Sequence, residues 1–294
     1  MKNTLVLLSN PSRPTLDGGI VQAAVEILRA GGAEVGEPDW LAPEIACDIP
    51  FDGPAIASLG MTGIDAVLVP SEGRRKRLLV ADMESTMIES EMLDELADFL
   101  GLRDRIAAIT VRAMNGEIDF AGALNERVGL LKGLPVARLD EAAKRIRYMP
   151  GGATLVATMK HNGAYCALVS GGFTHFTRLV AAKLGFDLDA ANVLSHDGKV
   201  LAGTVEQPVL GKEAKLATLR HLSNTRGLAT ADAVTVGDGA NDLPMLEEAG
   251  LGVAFHAKPA VAAQVKARID HGDLTALLYL QGYRRSEFVE RADP

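Results

Sequence analysis

Short apolar runs that end abruptly in polar clusters recur along the chain. Leu78-Leu79-Val80-Ala81 runs into Asp82-Met83-Glu84-Ser85-Thr86, and Cys166-Ala167-Leu168-Val169 into Ser170-Gly171-Gly172-Phe173-Thr174. Ala233-Val234-Thr235-Val236 runs into Gly237-Asp238-Gly239-Ala240-Asn241-Asp242. Continuous apolar runs of this length, without alternation, read as strands buried on both faces. Between them lie segments of helical spacing. From Arg77 onward the chain is therefore expected to be α/β, a Rossmann-like parallel sheet covered on both faces by helices. Helices are expected over Ile88 to Leu100, Asp104 to Met114, Phe120 to Leu131, Pro135 to Ile146 and Thr154 to Asn162. The last belongs with the core. The others form an inserted helical cap at about 92–150, placed to act as a lid that excludes water from the strand ends. Asn192 to Gly203, centred on Asp197-Gly198, reads as a β-hairpin.

Residues 1–73 read as a separate small α+β unit, with the second unit covering 74–294. Leu5-Val6-Leu7-Leu8 is strand-like. Gly19 to Ala30 has apolar positions at helical spacing and is stopped by Gly31-Gly32, and Ile64 to Val69 is a further strand. No acid, histidine or glycine pattern here carries chemical meaning. A structural, regulatory or oligomerising role follows, with a homodimer as a candidate assembly.

Composition narrows the function. The 294-residue chain is long enough for a substantial core, and its net charge of −8 disfavours a nucleic-acid partner, which would need a basic face. The run Arg74-Arg75-Lys76-Arg77 is the exception, read as a solvated linker before a buried strand. Two cysteines, Cys47 and Cys166, form no disulfide framework, and Cys166 is expected to pack as a small hydrophobe. The histidines have no metal-ligand spacing. No apolar stretch approaches the ~20 residues of a membrane span, and the first apolar run is too short for a secretory signal. A cytoplasmic protein without a membrane partner is expected, with residues after Glu287 frayed.

Acids at the end of a buried strand are rare unless they are paired or bind a metal. In an open parallel sheet, ligands bind beyond the carboxyl ends of the strands. Three such ends bearing Asp, Ser and Asp-Asn-Asp describe a site for a divalent cation and a phosphate. Asp82 is the expected nucleophile, attacking phosphorus to give an aspartyl-phosphate. Glu84 would protonate the leaving alkoxide and then deprotonate water. Mg2+ suits these hard oxygen ligands, with the Asp82 carboxylate, the Glu84 backbone carbonyl and the Asp238 carboxylate as protein ligands. Ser170 and the Gly171 N–H would hold phosphate oxygens. Lys215 would neutralise charge, and Asn241 and Asp242 would orient the groups around it.

With those residues assembled, the chain resembles the haloacid-dehalogenase (HAD) superfamily of phosphatases and, within it, the bacterial phosphoserine phosphatases. Asp82-Met83-Glu84-Ser85-Thr86 is similar to the family's first motif and Ser170-Gly171-Gly172-Phe173 to its second. Lys215, four residues before Leu219, is similar to the third, and Gly237 through Met245 to the fourth. The likeness covers roughly residues 75 to 285, including His256-Ala257-Lys258-Pro259. It implies a HAD core, Mg2+ and O-phosphoserine as a small-molecule substrate, hydrolysed to serine and phosphate as the last step of serine biosynthesis. It also implies that Glu91 meets the substrate ammonium, that Arg127 grips its carboxylate, and that Met114 and Phe120 pack over it. A zwitterion needs one anion and one fork-shaped cation, which agrees. Residues 1–73 resemble the variable extension of these enzymes, sometimes a small ligand-binding fold of ACT type.

One position departs from the pattern. The phosphoserine enzymes usually carry Asp where this chain has Glu84. The related phosphoserine:homoserine phosphotransferases carry Glu there, so phosphoryl transfer to an acceptor alcohol is an alternative. A catalytically weak sensor of phosphoserine or serine is another.

Overall fold

A computed structural model of the chain describes residues 1–54, 61–113 and 117–294, and the backbone alone of Met114. The first unit is an antiparallel sheet of β1 (Asn3–Leu8), β2 (Glu34–Val35), β3 (Asp39–Ala42), β4 (Ala46–Asp52) and β5 (Asp65–Pro70), with one helix, α1 (Gly18–Ala30). β1 lies between β4 and β5, and both β2 and β3 pair with β4. The run Leu5-Val6-Leu7-Leu8 lacks polar alternation because both its faces are covered. Leu5 and Leu7 pack with Val21, Val25 and Leu28 of α1, whereas Val6 and Leu8 join the main core.

That main core is a six-stranded, wholly parallel sheet. Its strands are β6 (Leu78–Ala81), β7 (Tyr165–Phe173), β8 (Leu188–Asn192), β11 (Ala233–Gly237), β12 (Leu251–Phe255) and β13 (Ala267–Ile269). The order is β13-β12-β11-β6-β7-β8, with β9 (Leu194–His196) and β10 (Leu201–Val205) forming a separate hairpin. Alternate residues of β6 face opposite layers. Leu79 and Ala81 pack towards α6 (Gly152–His161), α7 (Thr174–Leu184) and α11 (Ala276–Leu280), and Leu78 and Val80 towards α8 (Lys212–Thr225), α9 (Leu243–Glu248) and α10 (Pro259–Ala262). All four β6 side chains are buried, each worth about 1.5–3 kcal/mol for the larger ones. Among the described residues no helix is long and apolar enough to cross a membrane.

Between β6 and β7 the chain leaves the sheet to build α2 (Met92–Asp98), α3 (Arg103–Met114), α4 (Phe120–Gly129) and α5 (Ala137–Ala143). The two linkers to this helical insertion run side by side: Glu89 N donates to Arg147 O (2.9 Å) and Met149 N to Met87 O (2.9 Å). This pairing corrects the expected start of α2. Ile88 bridges to Glu84 and Tyr148 as buried extended chain, so the helix begins at Met92.

Two further expectations fail for the same reason, long-range contacts. The basic run is not a solvated linker: Arg74 pairs with Asp48 of β4 and donates to the carbonyls of Tyr279 (2.8 Å) and Leu280 (3.0 Å). Lys76 Nζ donates to Gly73 O (2.8 Å) and Ala231 O (2.9 Å). Nor is the tail after Glu287 frayed. Val289 N donates to Thr158 Oγ1 (2.9 Å), and the Asp293 carboxylate accepts from Gly151 N (2.8 Å) and Ala153 N (2.9 Å), capping the start of α6. The acids of the first unit do carry meaning, though structural. Asp65, 4% exposed, accepts from the backbone N–H groups of Asp270, His271 and Gly272, fastening β5 to the turn after β13.

Candidate active site

Parallel pairing of β6 with β11, in register from Leu78–Ala233 to Ala81–Val236, brings Asp82 and Asp238 to the same edge of the sheet. Asp82 N still bonds Val236 O (3.0 Å), and Asp82 Oδ1 folds back onto Met83 N (2.8 Å). Lys215 reaches in from the first turn of α8. Its Nζ lies 2.6 Å from Asp82 Oδ1 and 2.5 Å from Asp242 Oδ1. All four side chains are buried, with Lys215 only 2% exposed.

Three carboxylates against one enclosed ammonium leave a local excess of negative charge. Burial, and then Asp242, push the Asp82 carboxyl up to about 7; burial likewise raises Asp238, against the pull of Lys258 at 3.6 Å. Burial alone would depress Lys215, but Asp82 and Asp242 outweigh it and raise it. Oxygens of Asp82, Asp238 and Asp242 lie within 4.8 Å of one another, close enough to share a cation. Asp242 has little left to give: Oδ1 holds Lys215 and Oδ2 accepts from Gly239 N (2.9 Å). Asp82 and Asp238 keep oxygens for a metal. This hard, over-acidic donor set fits Mg2+, with Asp242 serving to hold Lys215 and the turn. Asn241 is half-buried in that same turn.

After Met83 the chain turns out of the sheet at Ser85, whose φ of 56° is left-handed. Such backbone in a non-glycine residue costs on the order of 1–3 kcal/mol and clusters at functional sites. The turn aims Glu84 at the insertion. Glu84 Oε1 accepts from Met92 N (2.8 Å), so Glu84 rather than Glu91 caps α2. Burial, then the nearby Glu91, hold the Glu84 carboxyl at about 8. Glu91 is exposed at the α2 N-cap and accepts from Ser85 Oγ (2.9 Å). Arg127, half-buried on α4, donates to Ala123 O (3.2 Å) and Thr110 Oγ1 (3.4 Å). Burial lowers its guanidinium, opposed by the field of Glu84, Glu91 and Asp94. Arg127 thus lies within the field of the acids at the β6 end while its hydrogen bonds go to Ala123 and Thr110.

Ser170 is buried in the second half of β7, and its Oγ accepts from Gly172 N (2.9 Å). α7 begins at Thr174, so its N-terminal dipole faces the same loop. Phe120 of α4 packs directly on Gly171: a Cβ there would lie 3.1 Å from Phe120 Cζ. Met114 ends α3, and its side chain lies outside the described residues. Two contacts had no signal in the sequence. Gly172 is pressed against the Glu84 carboxyl. Asn192, which reads only as the start of a hairpin, donates from Nδ2 to Gly171 O (2.8 Å).

The sequence profile of the haloacid dehalogenase-like hydrolases matches residues 79–247. The chain belongs to this family. It is 45% identical over 210 residues to a phosphoserine phosphatase of Polaromonas sp., covering 69% of this chain and 89% of that protein. It is 40% identical over 220 residues to phosphoserine phosphatase SerB2 of Mycobacterium tuberculosis, covering 75% of this chain and 54% of the relative. The chain thus spans about half the length of that longer protein. A solved structure described as a phospho-aspartyl intermediate analogue of phosphoserine phosphatase superposes with a TM-score of 0.65 at 38% identity. It covers 70% of this chain and 98% of that one.

Proposed function

We propose that this chain is a Mg2+-dependent phosphoserine phosphatase that hydrolyses O-phospho-L-serine to L-serine and phosphate, completing serine biosynthesis. The observation that carries the reading is the convergence of Asp82, Lys215 and Asp238 at one sheet edge, beside a helical insertion whose Phe120 packs on Gly171. Relatives and a solved structure named for this activity support it.

Phosphate-monoester hydrolysis is among the slowest uncatalysed reactions, and most of its catalysis is positioning and charge stabilisation. In the proposed sequence, Arg127 holds the substrate carboxylate and Glu91 its ammonium, while Phe120, with Met114, covers the amino acid. Ser170 and Gly171 hold phosphate oxygens. Asp82 attacks phosphorus as Glu84 passes its proton to the departing serine oxygen. The resulting aspartyl-phosphate is then opened by water that Glu84 deprotonates. Mg2+, held by Asp82, Asp238 and the Glu84 carbonyl, would offset the repulsion between carboxylate and phosphate. Lys215 orients Asp82 for the attack and favours its ionised form against the burial and the Asp242 charge that raise it. A soluble cytoplasmic enzyme acting on a small molecule, without nucleic-acid or membrane partners, completes the proposal.

Glu84 favours a second reading, transfer of the phosphoryl group to homoserine. Phosphate release from O-phosphoserine with Mg2+, measured with and without homoserine, separates the two. Release without acceptor supports hydrolysis. Phosphohomoserine as the sole phosphorylated product would replace it with the transferase, and binding without turnover would leave a sensor.

A further inference from the structure

The Ser170–Gly172 loop leaves the β7–β8 ladder. Val169 stands opposite Ala190 and Phe173 opposite Asn192, so three residues of β7 face only Ala191. A bulge of this kind re-aims backbone groups but gives up its ladder bonds, and something must hold it in one shape. The side chain of Asn192, 2% exposed at the end of β8, is placed to do so. Its Nδ2 donates to Gly171 O (2.8 Å) and to Leu210 O (3.3 Å), and its Oδ1 accepts from Leu210 N (2.8 Å). Leu210 stands two residues before α8, the helix that carries Lys215. Phe120 packs over both ends of this arrangement: a Cβ added at Gly171 would lie 3.1 Å from its ring, and one added at Gly211 3.3 Å.

We propose that Asn192 is a positioning residue for phosphate: its amide ties the Gly171 loop to the chain that delivers Lys215, fixing the two sides of the phosphate cradle relative to each other. The side-chain hydrogen bonds of Asn192 go to Gly171 and Leu210 rather than to the carboxylates. It acts through the peptide of Gly171 and through Leu210. An amide suits the task because it donates twice and accepts once in a single plane, matching two carbonyls and an N–H. A carboxylate of the same shape would face both carbonyls with acceptors only. This role rests on Ser170–Gly172 being the phosphate loop of the proposed enzyme.

The test is calorimetric titration of the full chain, first with Mg2+ alone and then with inorganic phosphate at saturating Mg2+, for wild type, Asn192→Ala and Asn192→Asp. Both variants are expected to bind phosphate about tenfold or more weakly, the size of one or two lost hydrogen bonds, while Mg2+ affinity stays within about twofold. Phosphate affinity equal to wild type in both variants would overturn the role. So would a parallel loss of Mg2+ and phosphate, or failure of both variants to fold, since either assigns Asn192 to general stability. If Asn192→Ala alone is unfolded, Asn192→Asp carries the test. A wild type that binds phosphate with Mg2+ yet releases none from O-phosphoserine would sink the proposed function while leaving the Asn192 role standing.

Discussion

The Glu84 carboxyl rests on the bare backbone of Gly172: a Cβ at residue 172 would fall 2.8 Å from Glu84 Oε2 and 3.1 Å from its Cδ. The extra methylene of a glutamate is thus accommodated by the absence of a side chain across the cleft. Gly172→Ala should displace the Glu84 carboxyl and lower kcat by about 10–100-fold, the scale on which small misplacements act. Combining it with Glu84→Asp, one methylene shorter, should cost less than the two single losses together. Steady-state kinetics over this double-mutant cycle checks the coupling; strict additivity would mean that the two residues do not compete for the same space.

Glu84 also sets an expected pH profile. Its carboxyl is held at about 8, first by burial and then by Glu91, so it is protonated at neutral pH and able to donate. As pH rises through that value the acid form is lost, and the rate of leaving-group departure should fall. Glu84→Gln should lower that rate by about 10^2–10^4 and flatten the alkaline limb. Single-turnover release of serine between pH 6 and pH 10 reads both effects.

Lys215 lies between two buried carboxylates, and removing it leaves them facing one another. Lys215→Met should therefore lose about 3–5 kcal/mol of stability, as when one partner of a buried ion pair is deleted. Urea denaturation measures it. Added Mg2+ should restore part of the loss, because a cation between Asp82 and Asp238 relieves the same repulsion. Unchanged stability would place the ammonium outside the cluster.

Asp65→Ala tests how the first unit is held. Three backbone N–H groups of residues 270–272 would lose a charged acceptor, at a cost of about 1.5–3 kcal/mol. The expected result is a lower melting temperature and faster proteolysis between the two sheets, with the Mg2+ affinity of the second unit unaffected.

The parallel core was readable because its strands are local, continuous apolar runs, and each ends in the residues that meet at the sheet edge. Asp82, Asp238 and Asp242 could be placed together from sequence for that reason. Contacts across long stretches of chain left no such trace. Arg74 looks like one charge in a basic run, and only the fold reveals Asp48 and the carbonyls of residues 279 and 280 as its partners. Asp293 looks like part of a loose terminus until it is seen capping α6. β1 gave no sign of which face met α1 and which met the core, since burial on both sides removes the alternation that would tell them apart. Asn192 stayed hidden because it reads only as the first residue of a hairpin, and its bond to Gly171 depends on a bulge that only the register shift exposes.

Chemical trapping of the phosphoenzyme bears most directly on the claim that Asp82 takes up the phosphoryl group. Rapid quenching after mixing with labelled O-phosphoserine and Mg2+ should yield an acyl-phosphate that hydroxylamine cleaves, with the label mapped to the peptide containing Asp82 and lost in Asp82→Asn. Turnover of O-phosphoserine with no such adduct, or with the label on another residue, would contradict the account.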